Sequence, residues 1–153
     1  MDNVTEVTTT RDIVVEGVLP HAPETVWRLL TTADLIGRWL MPNDFAPVVG
    51  RRFNFHTKPM GDWDGVVHCE VLEIVPNRKL VYSWKGGSST NSQYGTILDS
   101  VVTWTLTQVA GGTRLRLVHA GFRSPGNDFA FEAMSGGWGR VMGRIGEVAA
   151  APA

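Results

Sequence analysis

The sequence predicts an α+β fold: a curved antiparallel sheet of six to seven strands wrapped around a long C-terminal helix, with two short helices between the first two strands. Three observations carry this reading. From Asn127 to Ala150 the chain reads NDFAFEAMSGGWGRVMGRIGEVAA, placing Phe131, Met134, Trp138, Val141, Ile145 and Val148 at steps of three and four. That is the apolar stripe of an amphipathic helix. Between Gly50 and His119 the apolar period is two instead, as in half-buried strands. Tight turns join most of those segments, which calls for antiparallel pairing. The helix can cover only one face of such a sheet, so a strongly bent sheet would wrap around it.

In chain order, residues 1–10 are polar and Thr-rich and read as a flexible lead-in, leaving one domain over 11–150. Asp12–Leu19 is β-rich and closed by Pro20. Ala22-Pro23-Glu24 opens a helix with Pro in its first turn and Val26, Leu29 and Leu30 on one face. Asp34 is placed to cap a second short helix ending near Trp39, and Met41 to Pro47 is a connector. Strands are expected over Arg51–His56, Val66–Ile74, Leu80–Lys85, Ser100–Val109 and Thr113–His119. Turn chemistry separates them at Gly61–Gly65, Pro76-Asn77, Gly86-Gly87 and Gly111-Gly112. The long 87–99 connection holds a short strand or a flap. Within the final helix sit Gly136, Gly137, Gly139, Gly143 and Gly146. Each costs about 1 kcal/mol against alanine, so tertiary packing must hold the helix, with the glycines giving close approach or space beside it.

A length of 153 residues suits one domain that buries about 70% of its unfolded surface. Net charge is −1 with no Lys/Arg run, which argues against nucleic acid and against an electrostatic membrane-surface role. The single cysteine, Cys69, has no partner for an internal disulfide. No apolar run reaches the ~20 residues of a membrane span, and the N-terminus lacks signal-peptide character, so a cytoplasmic location is expected.

Several strings carry a family resemblance: Ala22-Pro23-Glu24-Thr25-Val26-Trp27, Asp34-Leu35-Ile36-Gly37-Arg38-Trp39, Val71-Leu72-Glu73-Ile74-Val75-Pro76, Lys79-Leu80-Val81-Tyr82-Ser83-Trp84, Gly112-Thr113-Arg114-Leu115 and Gly137-Trp138. In this order and spacing the chain, from about Ile13 to Val148, resembles the START-like (SRPBCC, birch-pollen-allergen-like) helix-grip superfamily. More narrowly, it is similar to the branch of activators of heat-shock-protein-90 ATPase. The resemblance implies a curved sheet gripping the C-terminal helix around an internal apolar cavity. It implies much less about chemistry, because fold alone does not settle function. Members carry lipids, hormones and polyketides, and some are cyclases. The eukaryotic namesake's co-chaperone activity also involves a separate N-terminal domain, for which these residues leave no room.

Alternation assigns the inward side chains. Val102, Trp104 and Leu106 oppose Thr103, Thr105 and Thr107; Leu115, Leu117 and His119 oppose Arg114 and Arg116. Leu80, Tyr82 and Trp84 align, as do Val67, Cys69 and Val71, and Phe53 with Phe55. The expected ligand-binding set is therefore Trp39, Phe53, Phe55, Trp63, Tyr82, Trp84, Trp104, His119, Trp138 and Met142, with His119 as the polar anchor at a strand end. A filled core is the plainer reading of any one of them.

Catalytic, metal and cofactor sites are expected to be absent. His68 and Cys69, adjacent in a strand, point to opposite faces. Asp62 and Asp64 read as turn formers, with Trp63 at a pocket mouth. The GGWG string lacks the strand and Lys-Ser/Thr of a nucleotide loop. Arg140 and Arg144 read as a solvated helix face. The expected function is binding of a small apolar or amphipathic molecule, lipid-like or aromatic, with a homodimer admitted and no nucleic acid or membrane insertion. The alternatives are a polyketide-cyclase-like enzyme using His119 as acid/base and a co-chaperone or stress-related interaction module. Tyr94 is a further hydroxyl donor of unknown direction.

Overall fold

The computed structural model describes residues 9–93 and 95–151. Its elements are β1 (Thr9–Leu19), α1 (Pro23–Thr31), α2 (Ala33–Trp39), β2 (Arg52–His56), β3 (Val66–Val75), β4 (Lys79–Gly86), β5 (Leu98–Val109), β6 (Gly112–Ser124) and α3 (Asp128–Ala150). The expected lead-in lies outside the described residues, apart from Thr9 and Thr10, which open β1. Tyr94 also lies outside them.

All six strands form one antiparallel sheet in the order β1-β6-β5-β4-β3-β2. The first two strands in sequence are thus the two edges, and α1 and α2 carry the chain from one edge to the other. Strands β2 to β6 follow as a meander. The β5–β6 hairpin turns on Ala110-Gly111, with Val109 opposite Gly112 and Gly111 at φ 82°. Gly112 is required for a different reason: a Cβ there would collide with the Leu19 carbonyl oxygen.

The C-terminal half of β6 corrects the sequence reading. The strand runs to Ser124, five residues past its expected end, so His119 sits in mid-strand opposite Ile13 and Val102. Ala120-Gly121 breaks the apolar alternation, which is why the strand looked finished. Arg11 pairs with Phe122 and Asp12 with Ala120, leaving Gly121 (φ 106°) as the extra residue of a β-bulge. The cap of α2 differs too: Thr32 is its N-cap residue and Asp34 lies in the first turn, where its charge complements the helix dipole. Residues 87–97 form no full strand among the described residues, only an isolated parallel bridge between Ser88 and Thr96.

The concave face of the sheet holds the core. Val102, Trp104, Leu106, Leu115, Leu117 and His119 are buried there, while Arg114 and Arg116 point outward. On β4 both sides are covered, since Val81 and Ser83 are buried along with Leu80, Tyr82 and Trp84. Helix α3 lies against β1 and β6 and against α1 and α2. Its start is pinned twice. Arg11 bonds Asp128 at 2.8 Å and stacks 3.9 Å over the Phe131 ring. Asn127 accepts from the Arg123 amide at 2.9 Å and donates to the Ile97 carbonyl at 2.7 Å.

Most glycines of α3 face away from the sheet, although a Cβ at Gly146 would lie 3.5 Å from the Leu19 side chain at the end of β1. Ala130, Trp138, Val141, Met142 and Ile145 are the buried residues of the helix, whereas Gly136, Gly139 and Gly143 are exposed. A Cβ at Gly139 or Gly143 would meet nothing within 4 Å. Only Gly137 and Gly146 are half-buried, on opposite flanks of the helix.

Candidate functional site

Seven aromatic side chains meet beneath α3. Strand alternation puts Phe53 and Phe55 from β2, Tyr82 and Trp84 from β4 and Trp104 from β5 on one face, and Trp39 and Trp138 arrive from α2 and α3. Their rings form a continuous set of edge and tilted contacts: Tyr82–Phe53 at 5.4 Å, Phe53–Phe55 at 5.4 Å, Phe55–Trp84 at 5.3 Å, Trp84–Trp138 at 5.6 Å, Trp138–Trp104 at 5.8 Å and Trp104–Trp39 at 5.6 Å. Such pairs add about 0.5–1.5 kcal/mol each beyond area burial. The walls expected around a cavity face one another. A small, partly open recess bounded by Trp63, Trp84, Ala130 and Met134 has about 20 Å³, room for a single water.

The polar tips within this cluster are satisfied. Trp39 Nε1 donates to the Leu29 carbonyl at 2.9 Å, and Trp104 Nε1 donates to the Tyr82 hydroxyl at 3.1 Å. His119 is the hub of a longer chain. Trp138 Nε1 lies 3.0 Å from His119 Nδ1, and His119 Nε2 lies 2.8 Å from Ser100 Oγ. An indole N–H can only donate, so Nδ1 is the unprotonated nitrogen. Nε2 then carries the proton and donates to Ser100, whose hydroxyl donates to the Trp84 carbonyl at 2.9 Å. Burial disfavours the charged imidazolium and pushes the His119 pKa down to about 3. Burial likewise raises the Tyr82 phenol and the Cys69 thiol, keeping both neutral.

Open space lies beside this core. A groove of about 320 Å³ runs along one flank of α3, between the helix and Leu40-Met41 at the end of α2. Trp84, Trp138 and Val141 form its apolar wall, Ala133 and Gly137 leave its helix side low, and Arg140 and Arg144 stand at its rim. A broader hollow of about 540 Å³ lies between the loop residues Met60-Gly61 and Thr90–Gln93 and Phe129 in the first turn of α3, with no indole in its wall.

Of the expected ligand residues, Trp84 and Trp138 line the groove, and Trp63 borders the small recess. Trp39, Phe53, Phe55, Tyr82, Trp104, His119 and Met142 are buried in the packed core. Sequence reasoning missed Leu40, Met41, Gly137, Val141, Arg140 and Arg144 as a group. The signal was half present: residues 133, 137, 140, 141 and 144 recur at three and four on one helix flank. Nothing in the sequence placed Leu40 and Met41 opposite them. No described helix is long and apolar enough to cross a membrane.

Comparison with known proteins adds three findings. The family model described as "Activator of Hsp90 ATPase homolog 1-like protein" matches residues 20–150. A search of curated proteins found no match. Among solved structures, protein MLL2253 from Mesorhizobium loti is 41% identical, with a TM-score of 0.78 over 90% of this chain and 96% of that one. CalU16 from Micromonospora echinospora (21% identity, TM-score 0.67, 92% and 77% coverage) shares the fold. So does the Aha1 dimer from Colwellia psychrerythraea (17% identity, TM-score 0.69, 90% and 94% coverage).

Proposed function

The chain belongs to the activator of Hsp90 ATPase homolog 1-like family, and on that premise we propose that it binds a small apolar or amphipathic molecule in the groove between α3 and Leu40-Met41. The observation that carries the reading is the groove's wall. Two indoles, Trp84 and Trp138, border an open apolar space of about 320 Å³, at the lower end of the range for ligand pockets. The wall is also fixed in place: the bonds from Trp138 through His119 and Ser100 to the Trp84 main-chain carbonyl tie the Trp138 indole to the sheet, and the Trp84 ring packs against Phe55, His119 and Trp138. Preorganisation of this kind reduces the ordering cost of binding.

The same chain argues against His119 as an acid/base catalyst. Both ring nitrogens are engaged, and its lowered pKa leaves it a weak base. The family description favours a second reading, a role at a chaperone ATPase, which depends on an exposed partner surface and not on the groove.

Native mass spectrometry of freshly purified protein, followed by solvent extraction, tests the proposal. Retained small molecules are expected in the wild type and are expected to be lost in Gly137→Leu, which fills the groove from an open helix position. Protein that is empty in both forms, and that quenches no tryptophan fluorescence on titration with alkyl or aromatic probes, overturns it. Partner capture unaffected by Gly137→Leu would favour the chaperone reading.

A further inference from the structure

Arg140 and Arg144 are one helical turn apart at the rim of the groove, above the indole wall of Trp84 and Trp138. Among the described residues no carboxylate lines the groove. Neither guanidinium takes an ion pair or side-chain hydrogen bond among the described residues. The glycines next to Arg140 give it room. A Cβ at Gly136 would lie 3.5 Å from its Nη1 and one at Gly137 4.0 Å from its Nη2, so the guanidinium lies back across two positions without side chains. Two cations without acidic partners along the edge of an apolar slot match a molecule with an anionic head and an apolar tail.

We infer that the groove selects amphipathic monocarboxylates, the tail against Trp84 and Trp138 and the carboxylate between Arg140 and Arg144. This rests on the groove being the binding site. Size sets the class further. At about 30 Å³ per atom-sized unit of liquid, 320 Å³ holds on the order of ten non-hydrogen atoms, the size of a medium-chain fatty acid or an arylalkanoic acid. Planar guanidinium groups suit the carboxylate because they offer paired N–H donors in fork geometry.

Octanoate and 1-octanol, which share a tail and differ in charge, separate the possibilities by calorimetric titration. Octanoate is expected to bind at least tenfold tighter than octanol at low salt, with the advantage shrinking as salt screens the rim. In the Arg140→Gln/Arg144→Gln protein that tenfold advantage is expected to vanish while octanol binding is unchanged. Both substitutions lie on an exposed helix face, and circular dichroism checks the fold. Equal binding of the two probes in the wild type, abolished by Gly137→Leu, overturns the carboxylate selectivity and leaves the groove as the binding site. Binding of neither probe overturns both.

Discussion

Protonating His119 would set a second N–H donor against the indole N–H of Trp138 and place a charge among aromatic rings. The buried neutral form is therefore coupled to folding. Its folded pKa of about 3 lies below the ordinary value of 6.5, so the unfolded chain binds more protons between those limits. Stability from this residue is fully present above pH 6.5 and declines by about 1.4 kcal/mol per pH unit as the pH falls toward 3. Urea midpoints measured from pH 7.5 to 4 should fall steeply in the wild type and less steeply in His119→Gln. Parallel curves would show that His119 is not the titrating group. Strand alternation made the inward direction of His119 legible. Its bonding was not, because Ser100 and Trp138 are each 19 residues away and reach it only through the fold.

Helix α3 separates two uses of glycine. Gly136, Gly139, Gly143 and Gly146 recur at three, four and three, a stripe pointing away from Trp138, Val141 and Ile145. Of the two roles the sequence left open, close approach or space beside the helix, Gly136, Gly139 and Gly143 serve neither toward the sheet, whereas Gly146 lies against Leu19 of β1. Gly139→Ala and Gly143→Ala should each stabilise the protein by about 0.5–1 kcal/mol, because the new methyl meets nothing and the unfolded chain loses freedom. Thermal or urea unfolding reads this directly, and neither change should alter probe binding. Gly137→Ala should stabilise similarly but weaken binding, since its methyl projects into the groove. A Gly143→Ala protein with impaired binding would mean that helix flexibility, not space, governs uptake.

At the scale of the molecule, α1 and α2 span the distance between the sheet edges and bring Leu40-Met41 over the side of α3. Periodicity revealed the elements, and turn residues such as Gly111 revealed the hairpins. Strand order, the bulge at Gly121 and the meeting of α2 with α3 depend on contacts between distant segments, which single-chain patterns do not encode. A bound ligand should therefore slow hydrogen exchange at 40–41 and 133–144 together, leaving β5 and the centre of β6 unchanged. At a hundredfold excess over Kd it should add about 2.7 kcal/mol to stability. Protection centred on Val102–His119 would instead place the ligand inside the aromatic core.

The packed rings under α3 and the slot beside it share only Trp84 and Trp138. The slot also borrows Val141 from the core and Leu40, Met41 and Met134 from the side chains packed against it, so only Ala133, Gly137, Arg140 and Arg144 belong to the slot alone. Substitutions at positions 133, 137, 140 and 144 therefore put little of the scaffold at risk, so the shape and charge of the slot can be changed without first acquiring compensating stability.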